Sequence, residues 1–458
     1  MNSKNTSTAI LGAGITGLNT AYALQKKGID VTIYEKENHA GGVIQTQPQN
    51  DWLVEKGPNT MLVRDQQIWD LLDELGLTNQ ILKPGPEAKK RYIIRNKKLC
   101  PAPMSLTDFL KTDLLSTHAK FRLLKEPFIE APSVDDESIA DFIHRRLGSE
   151  PLDYAANPFV SGIYAGDPDA LSIKHTFGSL FEMEQEFGSI TKGFFKRDKK
   201  KSSAQKALIS FKNGMQSLPN ALHKKLEHSI QLNSSVQDIS TSKSGWTIRL
   251  DSGQQKNHKS VVSTIPPFNL AKIWHSDYSH QPINKLTEIS YAPMSVLGLG
   301  FKREQINHPL DGFGMLIPEV EPFTLLGGLF SSSLFPNRAP ENHALLTCFI
   351  GGDRHPKLAG RSTEKLLAEV MPQLRKLLDV DGRPVFQQHA YWPKAIPQYR
   401  VGYDEHLAAM DEVEQSNPGF FLAGNYRGGV SVPDCILNGF EAAGRVDKYL
   451  NSGITSSP

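Results

Sequence analysis

A glycine-rich turn near the start of the sequence contains the residue types that hold a pyrophosphate. It follows a short apolar strand that begins at Thr8, and it opens a helix that ends at Gly28. Glu35 closes the next apolar segment, about 20 positions further on. Such glycines let the backbone approach the anion, the helix N-terminus offers N–H groups, and the carboxylate accepts from ribose hydroxyls. The pattern predicts a βαβ dinucleotide site. Its predicted contacts are Gly12, Ala13, Gly14, Ile15, Thr16, Gly17, Glu35 and Lys36.

Three later segments favour FAD over NAD as the dinucleotide. A glycine pair soon after Glu35 lets the chain pass close beside a long cofactor, and a Gly-Pro turn can present its backbone to a flavin ring. Near the C-terminus, a second glycine-rich turn leads into a helix whose N-terminus suits the pyrimidine edge of a flavin, where negative charge develops on reduction. The predicted contacts in these segments are Gly41, Gly42, Val43, Gly57, Pro58, Asn59, Thr60, Gly424, Asn425, Val430, Ser431 and Val432.

Composition limits the classes of function. Lys and Arg number 51 and Asp and Glu 49, so the formal net charge of +2 gives no reason to expect a nucleic-acid partner. The three cysteines have neither disulfide nor zinc spacing, so no metal is expected, and the pattern suits a reducing, cytoplasmic compartment. The sequence shows no signal peptide and no apolar run of the roughly 20 residues that a membrane span needs. A spanning protein is therefore not expected, and binding to a membrane surface stays open.

Hydrophobic periodicity divides the chain into helical and strand-rich stretches. From about 106 to 201, Leu and Phe recur at helical spacing among charged residues, which predicts a helical insertion ending in a basic run at 196–201. Strands are predicted at 31–35, 236–239, 246–250, 261–265 and 420–424, with mostly short strands between 296 and 349. A helix from about Asp434 is predicted to close the chain.

Three longer stretches carry a family resemblance. They are PFVSGIYAGDP at 158–168 with Leu171 and Ser172 after it, LFSSSLFPNRAP at 329–340, and VPDCI at 432–436. With the flavin motifs, they make the chain resemble the protoporphyrinogen oxidase family of the FAD-linked amine oxidase superfamily over nearly its whole length. The resemblance implies an α/β + α fold, with a discontinuous Rossmann-type FAD-binding domain, a mixed-sheet substrate domain and a helical membrane-associating domain. The implied boundaries are 1–88, 206–272 and 403–458 for the first, 89–104 and 273–402 for the second, and 105–205 for the third.

The same resemblance implies a set of substrate contacts. Arg91 is expected to pair with a propionate, Leu316, Leu329 and Phe349 to clamp a porphyrinogen macrocycle, and Gly162 to adjoin it. This set suits the chemistry of the ligand. Apolar side chains hold both faces of a large apolar ring, and a guanidinium orients its acidic arms.

The flavin is expected to be bound non-covalently, with further contacts from Val236 and Trp392. Cys435 resembles in position a flavin-linked cysteine, but the family implies no thioether, and a free cysteine is commonly buried. Val43 departs from the superfamily pattern, because many members place an Arg after the glycine pair. The departure leaves one phosphate contact unfilled and weakens an amine-oxidase interpretation. No acid–base pair is predicted.

The implied reaction is the FAD-dependent oxidation of protoporphyrinogen IX to protoporphyrin IX in heme and porphyrin biosynthesis, with oxygen as acceptor. Oxidation of coproporphyrinogen III at the same site stays an alternative. In that substrate two further propionates replace vinyl groups, which would favour extra basic groups around the pocket. A carotene desaturase or amine oxidase is disfavoured by the YAGDP and FPNRAP segments, and a flavin-free escort of prenylated proteins is the remaining alternative. The expected partners are the porphyrinogen, oxygen and the cytoplasmic face of a membrane, with a homodimer left open.

Overall fold

The computed structural model describes residues 7–132, 134–196, 205–242, 245–275 and 281–452. Strands and helices alternate along these ranges. The strands are β1 Thr8–Leu11, β2 Val31–Tyr34, β3 Thr46–Gln49, β4 Trp52–Glu55, β5 Met61–Val63, β6 Ile81–Leu82, β7 Lys90–Arg95, β8 Lys98–Pro101, β9 Ala207–Phe211, β10 Ile230–Gln231, β11 Val236–Ser242, β12 Gly245–Leu250, β13 Gln255–His258, β14 Ser260–Ser263, β15 Tyr291–Lys302, β16 Gly312–Leu316, β17 Leu325–Phe330, β18 His343–Gly351, β19 Phe386–Pro397 and β20 Phe420–Leu422.

The helices connect and cover these strands. They are α1 Ile15–Lys26, α2 Gln66–Glu74, α3 Leu106–Lys111, α4 Thr117–Leu123, α5 Ile139–Arg146, α6 Ser149–Pro151, α7 Asn157–Tyr164, α8 Ile173–Thr176, α9 Gly178–Phe187, α10 Ile190–Lys196, α11 Ser217–Lys225, α12 Pro267–Ile273, α13 Gln281–Thr287, α14 Ser331–Leu334, α15 Pro356–Ala359, α16 Thr363–Leu378, α17 Asp404–Ser416 and α18 Val432–Asn451. Short 3-10 helices lie at Thr78–Gln80, Pro86–Lys89, Glu126–Phe128 and Arg303–Gln305, and a π-helical turn at Leu152–Ala156.

Five strands form a parallel sheet in the order β10-β2-β1-β14-β20. They come from three separate stretches of the chain, near its start, its middle and its end. Alternate residues face opposite cores: Ile10 and Val262 pack on the side of α1 and α18, while Leu11 and Val261 pack on the side of β12 and α17. Burial on both faces explains why most residues of these strands are apolar.

Helices α1 and α18 pack closely on one side of this sheet. A Cβ at Gly439 would lie 2.7 Å from the Thr16 carbonyl oxygen, and the Thr20 hydroxyl donates to the Gly439 carbonyl at 3.2 Å. Cys435, one turn earlier in α18, contacts Thr16. The two helices therefore run in parallel, and both N-termini lie at the carboxyl edge of the sheet, where a dinucleotide binds in this type of fold.

A second sheet has seven strands in the order β19-β15-β18-β17-β16-β7-β8. Its neighbours are antiparallel except for β7 and β16. One face packs on α16 through Met315, Cys348 and Leu297, which form a core with Leu366 and Leu374. The opposite face carries the alternate residues of the same strands and bears on the candidate site.

The β3–β4 hairpin covers part of that opposite face. A Cβ at Gly300 would lie 2.3 Å from the Trp52 ring, and one at Gly298 would lie 2.8 Å from Val54. Trp52 also stacks on Phe386 with ring centroids 4.9 Å apart. Glycine normally weakens a strand, so these two glycines are explained by the close approach of the hairpin.

The stretch from 105 to 196 is helical, as the sequence predicts, and is organised around a small core and a buried ion cluster. Phe142, Val160 and Leu171 belong to the core. The Arg146 side chain is fully buried, pairs with Glu184 and lies 3.4 Å from Glu126. Residue 133 and residues 197–201 of the predicted insertion lie outside the described residues. Among the described residues, no helix is long and apolar enough to cross a membrane.

The strands predicted from the sequence are confirmed as β2, β11, β12, β14 and β20, and the closing helix as α18, with ends shifted by a few residues. Helix α1 begins at Ile15, within the glycine triplet. One expectation was wrong. Strands β15 and β18 have 12 and 9 residues, so the region from 296 to 349 does not consist of short strands alone. The glycines in β15 are packing positions rather than turns. The domain boundaries stay predictions.

Glu55, at the end of β4, gives a prediction about stability and pH. Its side chain accepts from the Thr46 hydroxyl at 2.6 Å and the Met215 N–H at 2.9 Å, and burial raises the pKa of the carboxyl from 4.5 to about 7. The folded state thus holds a proton that the unfolded state loses. The corresponding stability is complete below pH 4.5 and is lost as the pH rises through about 7.

We therefore expect Glu55→Gln to flatten the pH dependence of stability between pH 5 and 8. The neutral amide can accept from the Met215 N–H through its oxygen and donate to the Thr46 hydroxyl oxygen through its NH2 group. The wild-type loss over this window amounts to at most about 3 kcal/mol. Thermal unfolding at several pH values measures the effect, with the exposed Glu441→Gln as control. Parallel pH profiles for Glu55→Gln and the wild type would contradict the assignment.

Candidate functional site

The turn after β1 forms an open backbone cradle. Gly12 has a φ of +97°, and the Thr264 hydroxyl donates to the Leu11 carbonyl at 2.8 Å, which fixes the turn. A Cβ at Gly17 would lie 2.1 Å from the Gly12 carbonyl oxygen, whereas a Cβ at Gly14 would meet nothing within 4 Å. Gly17 is thus needed for packing. Gly14 borders free space at the N-terminus of α1, where a pyrophosphate can reach the backbone.

Glu35 follows β2 at the same edge of the sheet. Its side chain is buried, and its two carboxylate oxygens accept from the Ala13 N–H at 2.7 Å and the Glu37 N–H at 3.0 Å. These bonds fix the carboxylate beside the glycine turn and leave lone pairs for ribose hydroxyls. The Ser234 N–H donates to the Glu35 carbonyl at 2.8 Å, which brings Val236 near this edge. The Lys36 side chain is largely exposed and pairs with Glu37 at 3.3 Å.

The glycine pair and the Gly-Pro turn lie against the first cradle. Gly41 forms a bridge with Gly14, and its N–H donates to the Ala13 carbonyl at 2.8 Å. A Cβ at Gly42 would contact the Gly14 Cα at 3.4 Å, and one at Gly57 would lie 2.1 Å from the Val43 carbonyl oxygen. The structure thereby brings the predicted segments 12–17, 41–43 and 57–60 together. The half-exposed Val43 offers no cation to a phosphate.

The C-terminal turn closes the same edge. Gly424, with a φ of +138°, donates its N–H to the Asn438 side chain at 2.8 Å. The Tyr399 hydroxyl donates to the Asn425 carbonyl at 2.7 Å and accepts from the Gly429 N–H at 2.9 Å, so one side chain ties both ends of the turn. Ser431 then caps α18 through a reciprocal pair of hydrogen bonds with Asp434, and Val430 and Val432 flank this N-cap.

Sequence reasoning missed Thr264, Tyr399 and Asn438, which hold these turns. Thr264 lies near the carboxyl end of the strand predicted at 261–265 and directly follows β14 in the structure, so its position was a usable signal. Tyr399 and Asn438 are distant in sequence from most of the backbone groups they bind, and no local sequence pattern indicates their contacts.

The predicted substrate residues lie on one face of the seven-stranded sheet, opposite the α16 core. In the strand register, Arg91 is paired with Gly314 and Gly314 with Leu329, while Leu316 is paired with Gly327 and Gly327 with Phe349. Paired residues and residues two apart along a strand share a face. Arg91, Leu316, Leu329 and Phe349 therefore share what we call the open face.

Trp392 connects this open face to the cofactor segments. It is paired with Met294, it belongs to the same apolar cluster as Phe349, and its indole N–H donates to the Lys56 carbonyl at 2.7 Å. Lys56 immediately precedes Gly57. The open face and the predicted flavin turn are thus neighbours, as a reaction between a bound ring and a flavin requires.

Helix α7 lies over the open face. A Cβ at Gly162 would be 2.9 Å from the Cδ2 atom of Leu316, so Gly162 permits the close approach. Phe159 and Ile163 on the same helix are 50% and 38% exposed, which is unusual for large apolar side chains on a packed helix. The helix and the sheet thus offer apolar surface to a flat ligand.

Arg91 provides positive charge at the edge of this surface. It is exposed, and its guanidinium lies 5.3 Å from the centre of the Phe313 ring. Its neighbour Lys90 pairs with Asp311 at 2.5 Å, whereas no carboxylate of the described residues pairs with Arg91. The guanidinium is therefore available to an acidic ligand.

Cys435 is buried at the N-terminal end of α18. Burial raises the pKa of its thiol to about 12, so the sulfur is protonated at neutral pH. A protonated, buried thiol is a poor nucleophile. This chemistry agrees with a non-covalent flavin. Among the described residues, no cluster of His, Cys, Asp and Glu could hold a metal ion.

Comparison with known proteins identifies the class. The family model of flavin-containing amine oxidoreductases matches residues 15–447. Protoporphyrinogen oxidase 2 of Arabidopsis thaliana is 40% identical over 97% of this chain and 94% of its own length. Coproporphyrinogen III oxidase of Bacillus subtilis is 27% identical over 97% and 98%. A crystal structure from Exiguobacterium, provisionally assigned as a protoporphyrinogen oxidase, superposes with a TM-score of 0.83 at 24% identity and covers 99% of this chain and 100% of that one.

The chain belongs to the flavin-containing amine oxidoreductases and, among them, to the protoporphyrinogen oxidase family. It is an FAD-dependent oxidoreductase. The site fits that cofactor by its own geometry, because Gly14 leaves room for a pyrophosphate, Glu35 is fixed beside it, and two helix N-termini meet at the sheet edge. The roles of the individual residues predicted to contact FAD or the substrate remain predictions.

The fixed position of Glu35 gives a test of cofactor binding. We expect Glu35→Ala to weaken FAD binding by about 1.5–3 kcal/mol, the range for a hydrogen bond to a charged group, while the fold is retained. FAD content after dialysis measures the effect. The control is Glu37→Ala, which removes an exposed carboxylate two residues away. Equal FAD retention in both variants would show that Glu35 does not hold the cofactor.

Proposed function

We propose that the protein oxidises protoporphyrinogen IX to protoporphyrin IX, with oxygen as the electron acceptor. The observation that carries the proposal is the open face. Arg91 and the three apolar residues Leu316, Leu329 and Phe349 share it, under α7 and beside the Trp392 contact to the flavin turn. The names of the relatives give the same substrate, since the Arabidopsis protein is called a protoporphyrinogen oxidase.

The side chains of this face position the substrate. FAD, when bound, supplies the hydride acceptor for the chemistry. Leu316, Leu329 and Phe349 offer half-buried apolar surface to a large ring and exclude water from it. Arg91 fixes the ring in its plane through a propionate, because a guanidinium binds a carboxylate by a planar pair of hydrogen bonds. No described residue is assigned as an acid or a base.

Coproporphyrinogen III is the second candidate substrate, supported by the name of the Bacillus subtilis relative. It carries two more propionates. Arg95, which shares the strand face of Arg91, is a candidate for a further cation. However, it pairs with Glu150 at 3.0 Å and also donates to the Leu114 carbonyl. Because Arg95 is already neutralised, the site favours the substrate with fewer acidic arms.

The test is anaerobic flavin reduction by each porphyrinogen in turn, in the wild type and in variants of Arg91. Arg91→Ala should leave the flavin spectrum unchanged and lower kcat/KM by about tenfold to a hundredfold, because the ring loses its orientation. Arg91→Lys should recover only part, since an ammonium lacks the planar fork. Phe349→Ala should loosen the site for both porphyrinogens alike.

Lys90→Ala is the matched control, since Lys90 is the adjacent cation and is already paired with Asp311. Full activity of Arg91→Ala on both substrates would place the propionate elsewhere. Faster reduction of the wild type by coproporphyrinogen than by protoporphyrinogen would favour the second substrate.

We also propose that the helical stretch binds the surface of an anionic membrane on the cytoplasmic side. Large apolar side chains are exposed there, with Phe128 at 85% and Phe195 at 81%. Helix α10 packs on the 3-10 helix Glu126–Phe128 through the Ile190 and Thr191 N–H groups, which bind Glu126, so these two phenylalanines belong to neighbouring elements. Further exposed apolar residues of the stretch are Met104, Leu110, Phe121, Leu124 and Phe194.

The sequence predicts Phe109, Leu110, Leu114 and Leu115, together with the basic run 196–201, as the membrane-binding residues, and one of these choices was wrong. Leu114 is buried and its carbonyl accepts from the Arg95 guanidinium, while Phe109 and Leu115 are half-buried and only Leu110 is exposed. Of the predicted basic run, Lys196 is described and 197–201 lie outside the described residues. The cations Lys120, Arg122 and Lys125 lie among the exposed apolar residues. A homodimer stays a prediction.

Liposome co-sedimentation tests this proposal. Phe128→Ser combined with Phe195→Ser should reduce the fraction bound to anionic vesicles at low salt, because two aromatic side chains lose apolar burial of about 2 kcal/mol each. Val385→Ser is the control, since Val385 is 54% exposed in the turn before β19. Wild-type protein that stays in the supernatant would rule out membrane binding.

A further inference from the structure

We propose that Arg354 is a positioning residue that sets the gap between α7 and the open face, and so controls how tightly the macrocycle is held. The inference rests on the proposed function, because it concerns the same site. Arg354 lies in the turn after β18, in a segment that sequence reasoning did not single out.

The Arg354 guanidinium is buried and binds three groups from two elements. Its side chain is 5% exposed. It donates to the Asn157 side-chain oxygen at 2.9 Å, to the Ser161 hydroxyl at 3.0 Å and to the Ile317 carbonyl at 3.0 Å. Asn157 and Ser161 are one turn apart on α7, and Ile317 directly follows β16. One planar cation thus joins the helix to the strand beneath it.

The connection is reinforced by Glu319. Its N–H donates to the Asn157 side-chain oxygen at 3.0 Å, and its carboxylate accepts from the Asn157 amide at 3.2 Å. The same carboxylate lies 3.9 Å from the Arg354 Nε, which compensates part of the buried charge. A buried cation with this many specific partners fixes geometry more than it adds stability.

The hydrogen bonds of Arg354 to Ser161 and Ile317, which we call the clamp, explain the contact at Gly162. Gly162 directly follows Ser161 on α7, and Leu316 directly precedes Ile317. The close contact between Gly162 and Leu316 therefore lies next to the clamp in both segments. The 2.9 Å between a Cβ at Gly162 and the Leu316 Cδ2 shows that the clamp holds α7 at the minimum distance from the sheet. With α7 held in this position, Leu316 on the sheet and Phe159 and Ile163 on the helix face the ligand at a fixed separation.

A double-mutant cycle tests the inference. In the wild-type background, Gly162→Ala should raise KM for protoporphyrinogen by about tenfold, a free energy of about 1.4 kcal/mol, because the added methyl displaces Leu316. Arg354→Met should raise KM by a similar factor. In the Arg354→Met background the helix can move, so Gly162→Ala should cost less than twofold. Arg354→Lys should restore part of the coupling, since it keeps the charge but has all its N–H donors on a single nitrogen.

Three further measurements separate the possible outcomes. FAD content and thermal unfolding should be close to wild type in Arg354→Lys. Binding of the product protoporphyrin IX, followed by fluorescence quenching, should weaken in parallel with KM, while kcat changes less. Arg303→Met is the control, since Arg303 binds two carbonyls of its own turn, those of Ile306 and His308.

If Arg354→Met does not fold, Ser161→Ala replaces it in the cycle, because it removes one acceptor only. Additive effects of the two substitutions with an active wild type would overturn this inference alone. A wild-type flavin that protoporphyrinogen does not reduce would overturn the proposed function, and the inference with it.

Discussion

The whole site depends on the close approach of backbone to backbone at the carboxyl edge of the parallel sheet. Gly14 bridges to Gly41, Gly57 lies against the Val43 carbonyl, and Gly439 lies against the Thr16 carbonyl. Each contact joins separate segments of the chain, and those at Gly57 and Gly439 leave no room for a Cβ atom. Because these glycines bring the turns and two helix N-termini to one edge, the groups available to a pyrophosphate there are backbone N–H groups, while the Glu35 carboxylate beside them is available to ribose hydroxyls. This arrangement is consistent with Val43, which offers no cation beside the glycine pair.

The site also requires that the five-stranded and the seven-stranded sheet keep a fixed position relative to each other. The β3–β4 hairpin is the structural link, since Trp52 and Val54 fill the spaces left by Gly300 and Gly298, and the chain then continues through Glu55 and Lys56 into the flavin turn. Trp392 binds the Lys56 carbonyl from the other side. The open face is thus held next to the cofactor segments by apolar packing and one indole hydrogen bond. A side chain that shifts this hairpin disturbs both sites together.

Much of the fold and part of the site could be predicted from the sequence. The turn at 12–17 and Glu35 were accessible because local spacing encodes a βαβ unit, and the family motifs pointed to Arg91, Leu316, Leu329 and Phe349. The structural meaning of Gly298 and Gly300 was not accessible, because the residues that need the space are Trp52 and Val54, more than 200 positions away. Leu114 was wrongly predicted to be a membrane contact, and the exposed Phe128 was missed. The helices around both residues are too short for hydrophobic periodicity to distinguish a buried from an exposed side. Arg354 lies among polar residues and looks solvated until Asn157 and Ser161 are brought to it.

The order of the elements along the chain has a consequence for how the protein acquires its cofactor. The cradle begins at Gly12, but the turn at 424–429 and helix α18, which complete the same sheet edge, are synthesised after the other elements of the site. A ribosome-bound chain therefore contains the first half of the flavin site before it contains the second half. Loading with FAD becomes a late event in biogenesis, coupled to the docking of α18 on α1. Protein whose C-terminal helix fails to dock is then colourless rather than partly active, so loss of flavin reports incomplete folding in the cell.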